Sequence, residues 1–148
     1  MSDHVEHTNQ AEHNEAVLSY FESQSKEVEF GDWYVTIAFY SAIHRIEAML
    51  DIIKPRISVG GVKTEVVEHS CNKALRMFYN TQSEHDVRNR LIKARFGRMF
   101  VPFYALYAKS RDARYNCQEL EPNAWLTAKD NLQYVKDHCG YFMENVKK

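Results

Sequence analysis

Residues 31–50, GDWYVTIAFYSAIHRIEAML, constrain the fold more than any other stretch of this chain. Val35, Phe39, Ala42, Ile46, Met49 and Ile53 recur at alternating spacings of four and three, the seam by which helices pack side by side. The opposite side carries Trp33, Ile37, Tyr40, Ser41 and His44, and no charge falls between Asp32 and Arg45. A helix apolar on both sides is covered on both sides. The segment therefore predicts a central helix, capped by Asp32, sandwiched within its own fold or between that fold and a partner. His44 then lies away from bulk water.

The 148 residues form one domain, long enough to bury about two-thirds of the unfolded surface. Few Gly and Pro and many aromatic residues describe an ordered helical chain. No apolar run approaches the roughly 20 residues that span a bilayer, and the N-terminus has no signal-peptide core. Cys71, Cys117 and Cys139 are odd in number and contain no CxxC pair, which predicts free thiols and a cytoplasmic setting.

Charge is unevenly spread. Residues 1–53 hold ten acidic and two basic side chains, whereas residues 86–115 hold eight basic and two acidic ones. Such a basic segment suits a phosphate-bearing partner, or docks on the acidic helices of its own fold or of a second copy.

Along the chain, residues 1–8 read as a flexible tail and residues 9–148 as a single helical domain. A first helix is predicted over about 9–26, and the second ends before Pro55. Ile57–Val62, with Gly60-Gly61, reads as a turn, and a short helix follows over about 64–80. Ser83 is placed to cap the next helix, which bends or breaks near Gly97. An aromatic helical segment follows, with Pro102 in its first turn. Residues 110–123 read as a connection, and Trp125, Ala128, Leu132, Val135, Cys139, Phe142 and Val146 mark a last helix. The fold class is all-α: an antiparallel up-down four-helix bundle with one or two short extra helices.

No nucleotide-binding glycine loop, zinc signature or nucleophile elbow is present. His4, His7 and His13 lack carboxylate or thiolate support, so no metal site and no cofactor is assigned. Two constellations carry chemistry. His85 and Arg88, three apart at a helix start, share a face with Asn89 beside them, and join a proton-transfer group to a phosphate clamp. The plainer reading is a capping pair with acidic neighbours. Arg111, Arg114 and Tyr115 are suited to hold a phosphodiester; alternatively, the arginines serve a helix C-terminus or bridge to Asp112 or a glutamate of the first helix. His44 is either a hydrogen-bonded interior residue or part of a site, and His13-Asn14 reads as a polar pair closing a buried network. Tyr104, Tyr107, Trp33 and Trp125 read as core.

The order of AEHNEA (11–16), DWYVTIAFYSAIHRIEAML (32–50), HDVRN (85–89) and YALYAKSRDARY (104–115) resembles small prokaryotic proteins of the HEPN type. The resemblance implies a helical up-down bundle, dimerisation, and metal-independent ribonuclease activity in defence, toxin-antitoxin or RNA-processing systems. Their site is an Arg-x(4-6)-His pattern; here no arginine precedes a histidine at that distance, and His85 lies before Arg88. Function is therefore expected to be binding of RNA or a nucleotide by a homodimer, with cleavage by His85 or His44 as base and Arg88, Arg111 or Arg114 stabilising the phosphate. The alternative is a non-catalytic protein-interaction module, an antitoxin-like partner or scaffold.

Overall fold

The computed structural model describes residues 3–59, 62–65, 73–116 and 119–146. Among them the chain forms α1 (His4–Ser23), α2 (Gly31–Ile53), a hairpin of β1 (Arg56–Val59) and β2 (Val62–Glu65), α3 (Lys73–Phe78), α4 (Glu84–Arg95), α5 (Gly97–Tyr115) and α6 (Ala124–Val146). No helix among the described residues is long and apolar enough to cross a membrane.

Local chemistry sets several boundaries that the sequence pattern placed elsewhere. Helix α1 begins at His4, inside the expected tail, because Asp3 and Glu6 form a capping box. The Asp3 carboxylate accepts from the backbone N–H of Val5 and Glu6, and Glu6 accepts from that of Asp3 at 3.1 Å. The His4 N–H donates to Asp51 Oδ2 at 2.9 Å, tying the start of α1 to the end of α2. Helix α2 takes Phe30 as its N-cap with no side-chain bond, so Asp32 lies in the first turn and does not cap. It stops at Lys54, which adopts a left-handed conformation with φ 47° just before Pro55.

The turn expected over 57–62 sits within an antiparallel hairpin pairing Arg56 with Glu65 and Val59 with Val62. Strands this short give little periodicity to read. Residues 64–65 belong to β2, which shortens the predicted helix to α3; Gly60, Gly61, Val67 and Cys71 lie outside the described residues. Ser83 caps α4 as expected, accepting from the Asp86 N–H at 3.2 Å. The break falls at Phe96 (φ −134°, ψ 50°), so α5 starts at Gly97 and Pro102 sits beyond its first turn. Helix α5 runs on to Tyr115, making residues 110–115 helical instead of a connection.

Helix α2 packs on α1, α5 and α6. Paired contacts give the directions. Asp51 meets His4, Ser41 meets Ala11 and Tyr34 meets Glu22, so α1 and α2 run antiparallel. Phe96 against Phe142, Met99 against Cys139 and Lys109 against Glu121 make α5 and α6 antiparallel. Thirteen of the 23 residues of α2 are buried, including the seam residues Val35, Phe39, Ala42, Ile46 and Met49. Trp33 departs from the sandwich, at 59% exposed, and Tyr104 is likewise exposed where core was expected.

Polar groups enter this interior in pairs. Glu15 accepts from the Ser41 hydroxyl at 2.8 Å and from Arg45 Nε and Nη2 at 3.0 Å each, and lies 2.6 Å from Lys136 Nζ. Burial would raise the Glu15 pKa, but hydrogen bonds from Arg45, Lys136 and Ser41 together hold it below the usual carboxylate value. His13, by contrast, is exposed and closes no buried network. Burial pushes the Cys139 thiol up to about 12, so it packs as a neutral group beside Met99.

Phe39 joins α2, α4 and α5. It is fully buried, with the rings of His85, Phe103 and Tyr107 at centroid distances of 5.6, 5.8 and 5.8 Å. Phe39→Ala is expected to lower unfolding free energy by about 3–5 kcal/mol, measured by urea denaturation.

Candidate functional site

Beside Phe39, three helices bring most of the sequence-predicted residues together. Helix α2 supplies Tyr40, His44 and Glu47; α4 supplies His85, Arg88 and Asn89; α5 supplies Tyr107, Ser110, Arg111, Arg114 and Tyr115.

Arg88 lies deepest. Its Nε and Nη2 donate to Glu47 Oε1 at 2.9 and 2.7 Å, with side chains only 5% and 3% exposed. A charge so buried is held by its counter-ion, and Arg88 positions its neighbours from within. Its Nη1 lies 3.2 Å from His85 Nδ1. A guanidinium only donates, so Nδ1 must accept, and the neutral imidazole carries its proton on Nε2. His85 therefore presents an N–H on its free side. Burial lowers its pKa first, and the charges of Arg88 and Arg114 lower it further.

Arg114 is the open cation. Its Nη1 donates to the Tyr40 hydroxyl at 2.8 Å and to that of Tyr115 at 3.3 Å, and its Nε to Ser110 Oγ at 3.0 Å. Its guanidinium carbon sits over the rings of Phe39, Tyr40 and Tyr115, at 5.7, 5.3 and 4.8 Å. No carboxylate among the described residues pairs with Arg114, and Nη2 has no partner there. Neither the expected bridge to Asp112 nor one to α1 forms. Arg111 donates to the Tyr107 hydroxyl at 3.3 Å.

His44 belongs to the other side of Arg88. Its Nδ1 lies 2.9 Å from His7 Nδ1, so one ring donates and the other accepts. No contact links it to His85. Burial lowers both pKa values; the His7 and Arg88 charges add to the effect at His44. Asn89 is half-buried beside the Arg90 side chain, and its Oδ1 is buried without a hydrogen-bond partner.

The basic segment does not dock as a whole on the acidic half. Among the described residues only Arg88 bridges to it; Arg90 pairs with Asp86 and Lys109 with Glu121. His4 lies 3.3 Å from Asp51. No group of three or more His, Cys, Asp or Glu among the described residues is placed to hold a metal ion.

Sequence reasoning missed Glu47, Phe39, Tyr40 and His7. Glu47 carried a signal, being a carboxylate between Ile46 and Ala48 next to the seam residues Ile46 and Met49, which calls for a buried cation. The chain matches no protein family, no curated protein and no solved structure.

The histidines link pH to stability. His7, His44 and His85 all have folded pKa values below 6.5, the value for the exposed side chain. The unfolded chain thus binds more protons in mild acid, so stability is full above about pH 6.5 and is lost as pH falls below it. Urea midpoints measured down to pH 5 should fall in the wild type and fall less in the triple His→Gln variant at these positions.

Proposed function

We propose that this protein binds RNA or a nucleotide through a phosphate held at Arg114, within a HEPN-like helical dimer. The observation that carries this reading is the environment of Arg114: a half-buried side chain, fixed by Ser110, Tyr40 and Tyr115, with one amino group unpartnered and no carboxylate to neutralise it among the described residues. Such a pre-set fork suits a phosphate. The His85 Nε2–H and the nearby Arg111 add donors. The HEPN resemblance supports the reading because its HDVRN and SRDARY segments supply these side chains, and the up-down helix order it implies agrees with the antiparallel pairs described above.

The reading is of binding before turnover. Metal-independent cleavage needs a base for the ribose 2′-hydroxyl. In the tautomer fixed by Arg88, His85 donates at that position, so cleavage calls for the other tautomer or for a group from a second copy. Binding of a labelled single-stranded RNA should weaken steeply with salt. Arg114→Gln should lower affinity about 10- to 100-fold, the worth of a charge-assisted hydrogen bond or two. Salt-insensitive or unchanged binding rejects the phosphate site. EDTA-resistant RNA cleavage that His85→Ala abolishes would instead give His85 the role of base.

A protein contact is favoured by a different surface. Val28, Phe30, Trp33 and Leu126 are exposed where α2 and α6 begin, and Val28 also lines a hollow of about 420 Å³ with Trp125 and the acidic Glu29, Asp32, Glu119 and Glu121. Apolar side chains clustered in this way mark association surfaces. We assign this face to the homodimer. Trp33→Glu should shift the protein from dimer to monomer in sedimentation at micromolar concentration while leaving its helical content intact.

A further inference from the structure

Helix α5 presents a second, separate row of side chains. Phe100, Tyr104, Tyr107 and Arg111 recur at spacings of four, three and four, so they line one face of the helix. The three rings follow one another, with centroids 5.5 and 5.6 Å apart and planes tilted by 31° and 51°. Phe100 and Tyr107 are partly buried against the core, whereas Tyr104 between them is 46% exposed. Together with α4 they bound a groove of about 360 Å³, which meets a second hollow of about 220 Å³ across Tyr107 and Arg111.

Cations stand over the rings at the two ends of the row. Lys93 Nζ stands 5.5 Å from the Phe100 centroid, and the Arg111 guanidinium carbon stands 5.8 Å from that of Tyr107. Neither has a carboxylate partner among the described residues. The acids in the groove are already engaged: Asp86 by Arg90 at 3.2 Å, and Asp112 by the Asn116 amide at 2.8 Å. Rings for bases and unneutralised cations for a backbone are the two components of single-strand recognition. An acidic peptide would use the cations but leave the run of rings without a purpose. Tyr107 also lies 5.8 Å from the His85 ring, so the row starts beside the Arg114 cleft and leads away from it.

We propose that the Phe100–Tyr104–Tyr107 face is a stacking platform for unpaired bases of the RNA strand whose phosphate Arg114 holds. The proposal rests on the phosphate-binding reading above and adds the form of the ligand: a strand with accessible base faces, not a duplex. Lys93 and Arg111 run beside its backbone.

The test compares two labelled probes by fluorescence anisotropy: an oligoadenylate of about ten nucleotides and an abasic ribose-phosphate strand of equal length. The wild type should prefer the oligoadenylate. Tyr104→Ala should lower its affinity for that probe by about five- to 100-fold, the range for losing one stacked base, and leave the abasic strand unaffected. Tyr104→Phe should retain the preference. Because Tyr104 is exposed, the variant should melt like the wild type, and Lys93→Gln, which should weaken both probes, gives a second readout. If the wild type binds both probes equally, or if Tyr104→Ala leaves the preference intact while Arg114→Gln weakens both, the platform is overturned and the phosphate site stands. If the wild type binds neither probe, both readings fall.

Discussion

The buried ion pair between Glu47 and Arg88 is the constraint on which the half of the molecule around the candidate site depends. It joins the middle of α2 to the first turns of α4 with almost no access to water. Removing two charges from solvent is expensive, and the Coulombic return compensates only when geometry is good and further hydrogen bonds are made. Here both Nε and Nη2 of the arginine reach the carboxylate, and Nη1 is left to meet His85. The pair therefore fixes more than the docking of α4. It selects the tautomer of His85, and its positive end depresses the proton affinity of His85, His44 and His7. A neutral hydrocarbon pair of similar volume would hold the helices together yet leave the imidazole undirected.

Packing around Phe39 completes that arrangement. The ring lies between α2, α4 and α5 and meets His85 and Tyr107, while the Arg114 guanidinium stacks over it. Hydrophobic burial and cation placement are thus served by one side chain. A guanidinium resting on aromatic faces keeps its charge without a carboxylate, which suits Arg114, left without a carboxylate partner among the described residues.

The helices with long, regular repeats were legible in the sequence: the four-three seam of α2 and the series from Ala128 to Cys139 in α6 mark buried faces directly. Ser83 announced the start of α4 because an N-cap is a local interaction. Boundaries set by long-range contacts were not legible. Helix α1 starts early through Asp3 and is held by Asp51, 47 residues from His4. Residues 110–115 looked like a connection because their polarity masks a helix whose buried side is only Ser110. Of the candidate site, the i, i+3 relation of His85 and Arg88 was readable, as was the closeness of Arg111, Arg114 and Tyr115. That Arg88 turns inward to Glu47, and that His44 meets His7 instead of His85, depends on how α1, α2 and α4 stack, which no local spacing encodes. Trp33 was ambiguous for the same reason: an aromatic residue at core spacing reads as covered, by its own chain or by a partner, and within this chain it is exposed.

The hydrogen bonds inside the Arg114 cleft all point one way. Tyr40 and Tyr115 each use an oxygen lone pair to receive the guanidinium, which leaves their phenolic protons available to donate. The imidazole of His85 has spent its lone pair inward and shows only its proton. Arginines have no lone pair to offer. Donors therefore predominate there: Arg114 Nη2 and the His85 Nε2–H can only donate and the tyrosine hydroxyls can do so as well, so an oxyanion can satisfy several neighbours at once.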